Sequence, residues 1–523
     1  MKSLLFYITV LAGFSIQAQE QNDYLANSIW PIGHTNSAQT NSVEIEGPVA
    51  DTRQLGQDEI QYQDLGQFYL GQVISGPYKD SGKKVIWVNG SSFVAKLDYD
   101  NYNIISLLRI TDKVESTGKH EAFIDLMDSN APVEEKIKAG ITAGISGLSS
   151  VYIMMNSNNE FLAAQPRAIT VYADQIEGNP NSGIRIKKTF TLPETVQGKI
   201  TGMNMTFDGY IVVVTDAGYL MAIDQNFEQL SVHRMKYSAE YNNPKVAFVR
   251  NSIAIDKDNG IYIASVNHMH KVIWDGQNLS ASEDLGAWTA QYPNGLGLGS
   301  GSTPALMGFE DGKDQFVVIT DGDSVMNMTL FWRNKIPKNW KGIKGLPSKR
   351  IAASEPVNFG NEEATYVQQE QGVTINGYGM IVVNNVPKNV PKSISNLAKK
   401  KPGVMWLFMG YMNGYEQFSP KGIEKLVWNP KKRKVELAWI NTEVSDPTCV
   451  PFVADGNDMF YTIGSRNNKF TFEAIDAKTG ESVFHYKIGG ARYNGFYSAP
   501  TLDEEGRILY GGLWGVVRLA PKY

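Results

Sequence analysis

Two of the six histidines, His268 and His270, stand two apart in "NHMH". On a strand, residues i and i+2 share a face, so both imidazoles can reach one metal ion or one substrate. No third ligand has a fixed spacing from them, so a metal stays open, and a pair simply packed inside the fold is the plainer reading. "TDGDS" sets Asp321 and Asp323 two apart. A calcium loop would need further spaced oxygens and a terminal Glu, and ordinary turn chemistry accounts for the stretch. No G-x-S-x-G elbow, Walker loop or zinc-protease helix occurs, so no local motif announces a reaction.

The other candidates depend on the elements that carry them. The stretch 299–333 runs apolar, turns on "EDGKDQ", runs as "FVVIT", turns on "DGDS" and runs again as "VMNMTLFWR". "KITGMNMTFDGYIVVVTDAGYLMAID" (199–224), "NSIAIDKDNGIYIASVNHMHKVIWD" (251–275), "CVPFVADGNDMFYTIGSRNNKFTFEAID" (449–476) and "SAPTLDEEGRILYGGLWGVVRLA" (498–520) repeat the scheme. Strand-forming runs bounded by Gly, Asp and Asn are hairpin chemistry. Two earlier units, 85–98 and 151–165, carry the second and third strands, and 372–385 carries another pair.

Spacing makes the pattern a repeat. The equivalent positions Thr201, Asn251, Ser302, Gly372, Cys449 and Ser498 are 50, 51, 70, 77 and 49 residues apart. The two long steps contain Lys-, Pro- and Ser-rich inserts at 336–360 and 386–403. A period near 50 with four strands per unit predicts an all-β, single-domain β-propeller over residues 66–523, with eight four-stranded blades and seven as the alternative count. Residues 299–333 are expected to be one such unit. Helical patterning is scarce and best in "APVEEKIKAGI" (131–141). The last unit lacks room for an outer strand, and the N-terminal segment 19–65, around "NSIWPIGHT" (27–35), is expected to supply it and leave no open edge.

The turn-Gly-aromatic-x-Ala-hydrophobic-Asp pattern of "GYLMAID", and above all "AIDAKTGESVFHYKIG", resembles the blades of the pyrroloquinoline-quinone-like propeller superfamily. The resemblance covers most of the chain in rhythm and one unit in detail. Quinoprotein dehydrogenases of that superfamily hold their cofactor with a vicinal cysteine pair, a stacking Trp and a metal site. This chain has a single cysteine, Cys449, so no quinone cofactor is expected and no cofactor residues carry over.

In a propeller, ligands meet the loops that lead into the innermost strands at one mouth of the channel. That rule selects Arg250, Asn251, Thr303, Glu370 and Arg492 for substrate binding, with His268, His270 and Tyr493 as proton-moving groups; Ser302, Gln371, Asp446, Cys449 and Asn494 lie on the same approaches. Arg, Glu and Tyr converging on a polar funnel can neutralise a carboxylate and move a proton. A water-filled polar channel is the competing reading. The functional expectation is an enzyme acting on a small molecule or saccharide by hydrolysis or elimination. The alternative is a non-catalytic propeller binding a partner protein or glycan.

Composition bounds the rest. With 42% hydrophobic residues the chain can bury a large core, and a net charge of −5 gives no basic field for nucleic acid. The basic runs "LAKKKPG" and "NPKKRKVEL" read as solvated faces. Residues 1–18 have the shape of a signal peptide, with an apolar stretch shorter than the ~20 residues a span needs. A periplasmic or secreted protein without a membrane span is expected. Cys449, inside "TCVPFVAD", is expected to be buried and inert.

Overall fold

The computed structural model describes residues 21–66, 71–90, 92–110, 117–143, 152–310, 313–401 and 403–522. The expected signal peptide, 1–18, lies outside the described residues. Eight four-stranded antiparallel units follow one another as blades. Their innermost strands are Gly71–Ile74, Ile153–Met155, Ile200–Met205, Ala254–Ile255, Ala305–Met307, Thr374–Asn376, Phe452–Ala454 and Thr501–Leu502, which begin blades 1 to 8 in that order.

The middle strands are β-branched runs such as Ile211–Thr215 and Phe316–Thr320, buried along their whole length because another blade covers each face. Outer strands such as Leu230–Arg234 alternate between half-buried and exposed. Apolar clusters join blades 1 and 2, 2 and 3, 3 and 4, 4 and 5, 5 and 6, and 6 and 7, and one larger cluster joins 7, 8 and 1. The core is therefore a closed ring of blade interfaces.

The "AIDAKTG" turn shows how blades lock. Asp476 accepts hydrogen bonds from the backbone of Lys478 (2.7 Å) and Thr479 (2.9 Å). Gly480 takes a left-handed φ of 79°, and a Cβ there would come within 2.6 Å of the Trp439 ring of blade 6. The Trp439 indole donates to the Ala477 carbonyl at 2.9 Å, as does Lys425 at 2.8 Å. Arg518 repeats the device from blade 8 to blade 1, donating to the carbonyls of Tyr99 (2.6 Å) and Asp100 (2.9 Å).

Three expectations of strand placement are corrected. The unit at 299–333 holds three strands, and the fourth, Ile351–Pro356, comes out of the stretch read as an insert. Residues 151–165 carry the first and second strands of blade 2, not the second and third. The outer strand of blade 8 is Ile60–Asp64, antiparallel to Gly515–Leu519, whereas residues 27–35 lie at the opposite, inner edge of the ring.

There the segment from Asn22 to Ile45 runs along the inside of the ring. Backbone amides of Ile74, Met155, Ile255, Leu306, Ile375 and Val453, from six blades, donate to carbonyls of Trp30, Pro31, Ser37, Ala38, Thr40 and Asn41. Blade 3 joins through the Asn204 side chain, which donates to the Ser37 carbonyl at 2.9 Å. Innermost strands have one free edge each, and in these six blades the segment supplies backbone partners to it. Ser42–Val43 then pairs parallel with blade 7 on the inside and Arg53–Gln54 on the outside.

Four helices complete the described fold: α1 (Thr117–Asp128), α2 (Val133–Ala143), α3 (Lys392–Lys400) and α4 (Gly403–Met412). The second lies where the 131–141 pattern places it; α3 and α4 come from the second Lys-rich insert and the apolar run after it. Phe123, Ile137, Phe408 and Tyr411 form a common core with Phe496, Tyr497 and Trp514 of blade 8. The helices thus cap one side of the mouth into which the innermost strands lead.

Candidate functional site

Arg250 and Asn251 precede the inner strand of blade 4, and Glu370 precedes that of blade 6. The Arg250 guanidinium donates to the Leu298 carbonyl (3.0 Å) and lies 3.5 Å from a Glu370 oxygen. Asn251 donates to the carbonyls of Ser300 (2.8 Å) and Ser302 (3.1 Å), which fixes the approach to blade 5 between them. Gly301 is why this crossing is possible: a Cβ there would sit 2.1 Å from the Gln369 carbonyl. Thr303 is buried at the same approach.

A third of each side chain of the Arg250–Glu370 pair remains exposed, so both charges face solvent at the mouth. The surrounding protein raises the Glu370 pKa above the ordinary carboxylate value, and the Arg250 charge only partly offsets this. Tyr152 and Tyr366 also feel the Arg250 charge, and burial raises both phenols.

The channel holds a cavity of about 70 Å³, walled by the inner strands and by Trp30, Ile32, His34 and Gln39 of the N-terminal segment; Arg250 and Glu370 do not line it. Ser252 and Tyr152 belong to the same wall. His34 was not singled out by the sequence. Its Nδ1 bonds Asn41 Oδ1 at 2.7 Å, and its ring lies against Gly372, where a Cβ would come within 3.0 Å. Burial lowers its pKa, leaving a neutral imidazole. His34, Thr35, Gln39 and Asn41 all take left-handed φ between 53° and 73°. Four non-glycine residues in that region within eight positions is strain of the kind that collects at functional sites.

The other sequence candidates lie elsewhere. His268 and His270 sit on the third strand of blade 4, facing blade 3. His270 is buried, with Nε2 bonded to Ser265 Oγ (2.8 Å) and Nδ1 to Thr289 Oγ1 (3.3 Å). Its pKa falls to about 3, chiefly through burial. His268 stacks on Tyr237 with ring centroids 4.4 Å apart. Among the described residues no group of three His, Cys, Asp or Glu is placed to hold a metal. The pair is packed between blades because both ring nitrogens of His270 find partners there.

Arg492 pairs with Glu121 of α1 at 2.6 Å and lies over the Tyr62 ring, tying the helical cap to the outer strand of blade 8. The Tyr493 carbonyl accepts a bond from the Tyr510 hydroxyl at 3.3 Å, and its ring is half-buried against Gly489. Neither joins Arg250 and Glu370. Asp321 caps its own turn by accepting from Asn327. Cys449 is buried beside Asp446, and burial raises its thiol pKa well above the usual value.

The residues around the cavity do not fit the quinone and metal that quinoprotein dehydrogenases of the superfamily hold. The cavity wall carries no carboxylate and no cysteine, and its volume suits water rather than a three-ring quinone.

An eight-bladed propeller, its channel filled by its own N-terminal segment and its mouth half covered by four helices, is the class these features define. The chain belongs to the same family as an uncharacterized protein of Archaeoglobus fulgidus, 32% identical over 517 residues that cover 95% of this chain and 88% of the relative. No protein-family model matches it. Among solved structures it is similar to a europium-containing methanol dehydrogenase, at 11% identity over 93% of this chain and 90% of that one, with a TM-score of 0.49. It is also similar to BamB from Moraxella catarrhalis, at 10% identity over 71% and 87% of the two chains, with a TM-score of 0.40. Likeness at this level concerns the course of the chain and says nothing about chemistry.

Proposed function

We propose that this chain is an exported propeller that takes a small hydroxylated or anionic molecule, a saccharide or a carboxylate, at the capped mouth, and acts on it by hydrolysis or elimination. The observation that carries the reading is the solvent-facing Arg250–Glu370 pair, which joins blades 4 and 6 over the approach to blade 5. Arg250 offers a guanidinium fork to a carboxylate or a hydroxyl pair. Glu370, with its pKa raised by its surroundings, keeps a proton nearer neutrality than an ordinary carboxylate and is the candidate acid. His34, neutral and anchored by Asn41, is the candidate acceptor at the channel cavity.

The test is a thermal-shift screen of neutral sugars, uronic acids and small carboxylates against the wild type, Arg250→Ala and Glu370→Gln. Ligands that stabilise the wild type and neither variant support the site. Stabilisation that survives in both variants places the ligand elsewhere. A ligand that binds at the pair and is returned unchanged would favour the binding role over catalysis.

A further inference from the structure

We propose a second binding site, independent of the mouth, for a phosphate or sulfate ester in the groove on the outer half of blade 7. The groove has a volume of about 560 Å³ and is lined by Arg466, Lys469, Lys487, His485, Thr471 and Gln54 among others. In a chain of net charge −5, three cations converge on one concavity.

The convergence follows from strand alternation. On Ser482–Gly489, Phe484, Tyr486 and Ile488 turn into the core shared with blade 8. His485, Lys487 and Gly489 must then face the other way, into the groove. Gly489 adds no side chain, which keeps the groove open.

The site is also preorganised. Arg466 is held by buried Glu473 through two bonds, Nε to Oε1 and Nη2 to Oε2, both 2.8 Å. Thr471 braces the same carboxylate at 2.6 Å. This fork fixes the guanidinium plane while leaving Nη1 outside it. Glu473 answers the Arg466 charge directly, and Glu443 and Glu416 act on the same guanidinium from further off. Among the described residues Lys469 has one ion-pair partner, Asp128, 3.6 Å away and itself exposed by a third. Lys487 has no ion pair among the described residues. The unpaired Lys487 ammonium, the open Nη1 edge of Arg466 and the loosely paired Lys469 together offer donors to the oxygens of one anionic group, and the room left beside it suits the organic part of an ester rather than a bare ion.

Isothermal titration of the mature full-length chain tests this with four probes: inorganic phosphate, inorganic sulfate, glucose 6-phosphate and glucose 6-sulfate, with sodium chloride at matched ionic strength as control. Saturable binding of at least one ester is expected at a Kd of about 1 mM or tighter. Lys487→Ala and Lys469→Ala, both at exposed positions and compatible with folding, should each weaken it about fivefold when made in an Arg250→Ala background, where binding of a sugar ester at the mouth is removed. Preference between the two esters identifies the source of the anion. No saturable heat with any probe, equal heat from chloride, or affinity unchanged in both lysine variants would overturn the site. Because the groove is titrated with Arg250 already replaced, failure here and failure at the mouth are told apart.

Discussion

Arg250 and Glu370 lie 3.5 Å apart although 120 residues and the whole of blade 5 separate them in sequence. The contact exists because blades 4, 5 and 6 bring their inner-strand approaches to one rim, and because Gly301 lets the middle approach lie flat against Gln369. A propeller converts distant loops into one surface in this way, and the mouth is where its chemistry is to be sought.

Trp30 tests the N-terminal segment as a part of the core. It is buried in the ring and meets Phe452 edge to face at 5.7 Å. Trp30→Ala should lower stability by about 3–5 kcal/mol, measured by denaturant unfolding. A change well under 1 kcal/mol would mean that the segment does not hold the inner strands together.

His270 gives the stability a pH dependence. Its folded pKa of about 3 lies below the 6.5 of a free imidazole, so between those values the unfolded chain binds the extra proton. Its contribution is complete above pH 6.5 and is lost as pH falls towards 3, by up to about 1.4 kcal/mol per pH unit. Chemical denaturation at several pH values should show this slope in the wild type. His270→Gln, which keeps polar partners for Ser265 and Thr289, should flatten it.

Asp446 acts in the opposite sense. Buried, and bonded to the Cys449 amide (2.8 Å) and the Thr462 hydroxyl, its carboxyl is pushed up to about 8. The folded chain therefore holds a proton that the unfolded chain releases above 3.8, and stability falls as pH rises from there through 8. Asp446→Asn keeps an acceptor without the charge. It should be more stable than the wild type at pH 9 and close to it at pH 5, by thermal unfolding.

The sequence carried the blades clearly and the site poorly, for physical reasons. Hairpin turns and β-branched middle strands are local, so the starting positions at Thr201, Asn251 and Ser302 fall at or just ahead of the inner strands. Outer strands such as Leu230–Arg234 face solvent on one side and carry a weak pattern, and Ile351–Pro356, with only Ile351, Ala352 and Ala353 buried before a Ser-Glu-Pro end, hid inside an apparent insert. The channel segment was harder still. Ser37, Thr40 and Asn41 are polar residues buried by their place in the ring, with carbonyls that take strand-edge amides of other blades, and buried Gln39 bonds within the segment to Gly33 and Asn36. Nothing in their composition distinguishes them from a surface loop. His34 came with them, while the visible pair His268 and His270 proved to be packing between blades.

The central claim, that the mouth pair receives the ligand, is tested most directly by one calorimetric titration. The strongest stabilising sugar or carboxylate from the screen is titrated into the wild type and Glu370→Gln side by side. A surface ion pair of this kind contributes about 1 kcal/mol or less to folding, so the variant should remain folded. A loss of tenfold or more in affinity is the predicted result. Equal affinity in the two proteins would contradict the account and take the ligand away from Arg250 and Glu370.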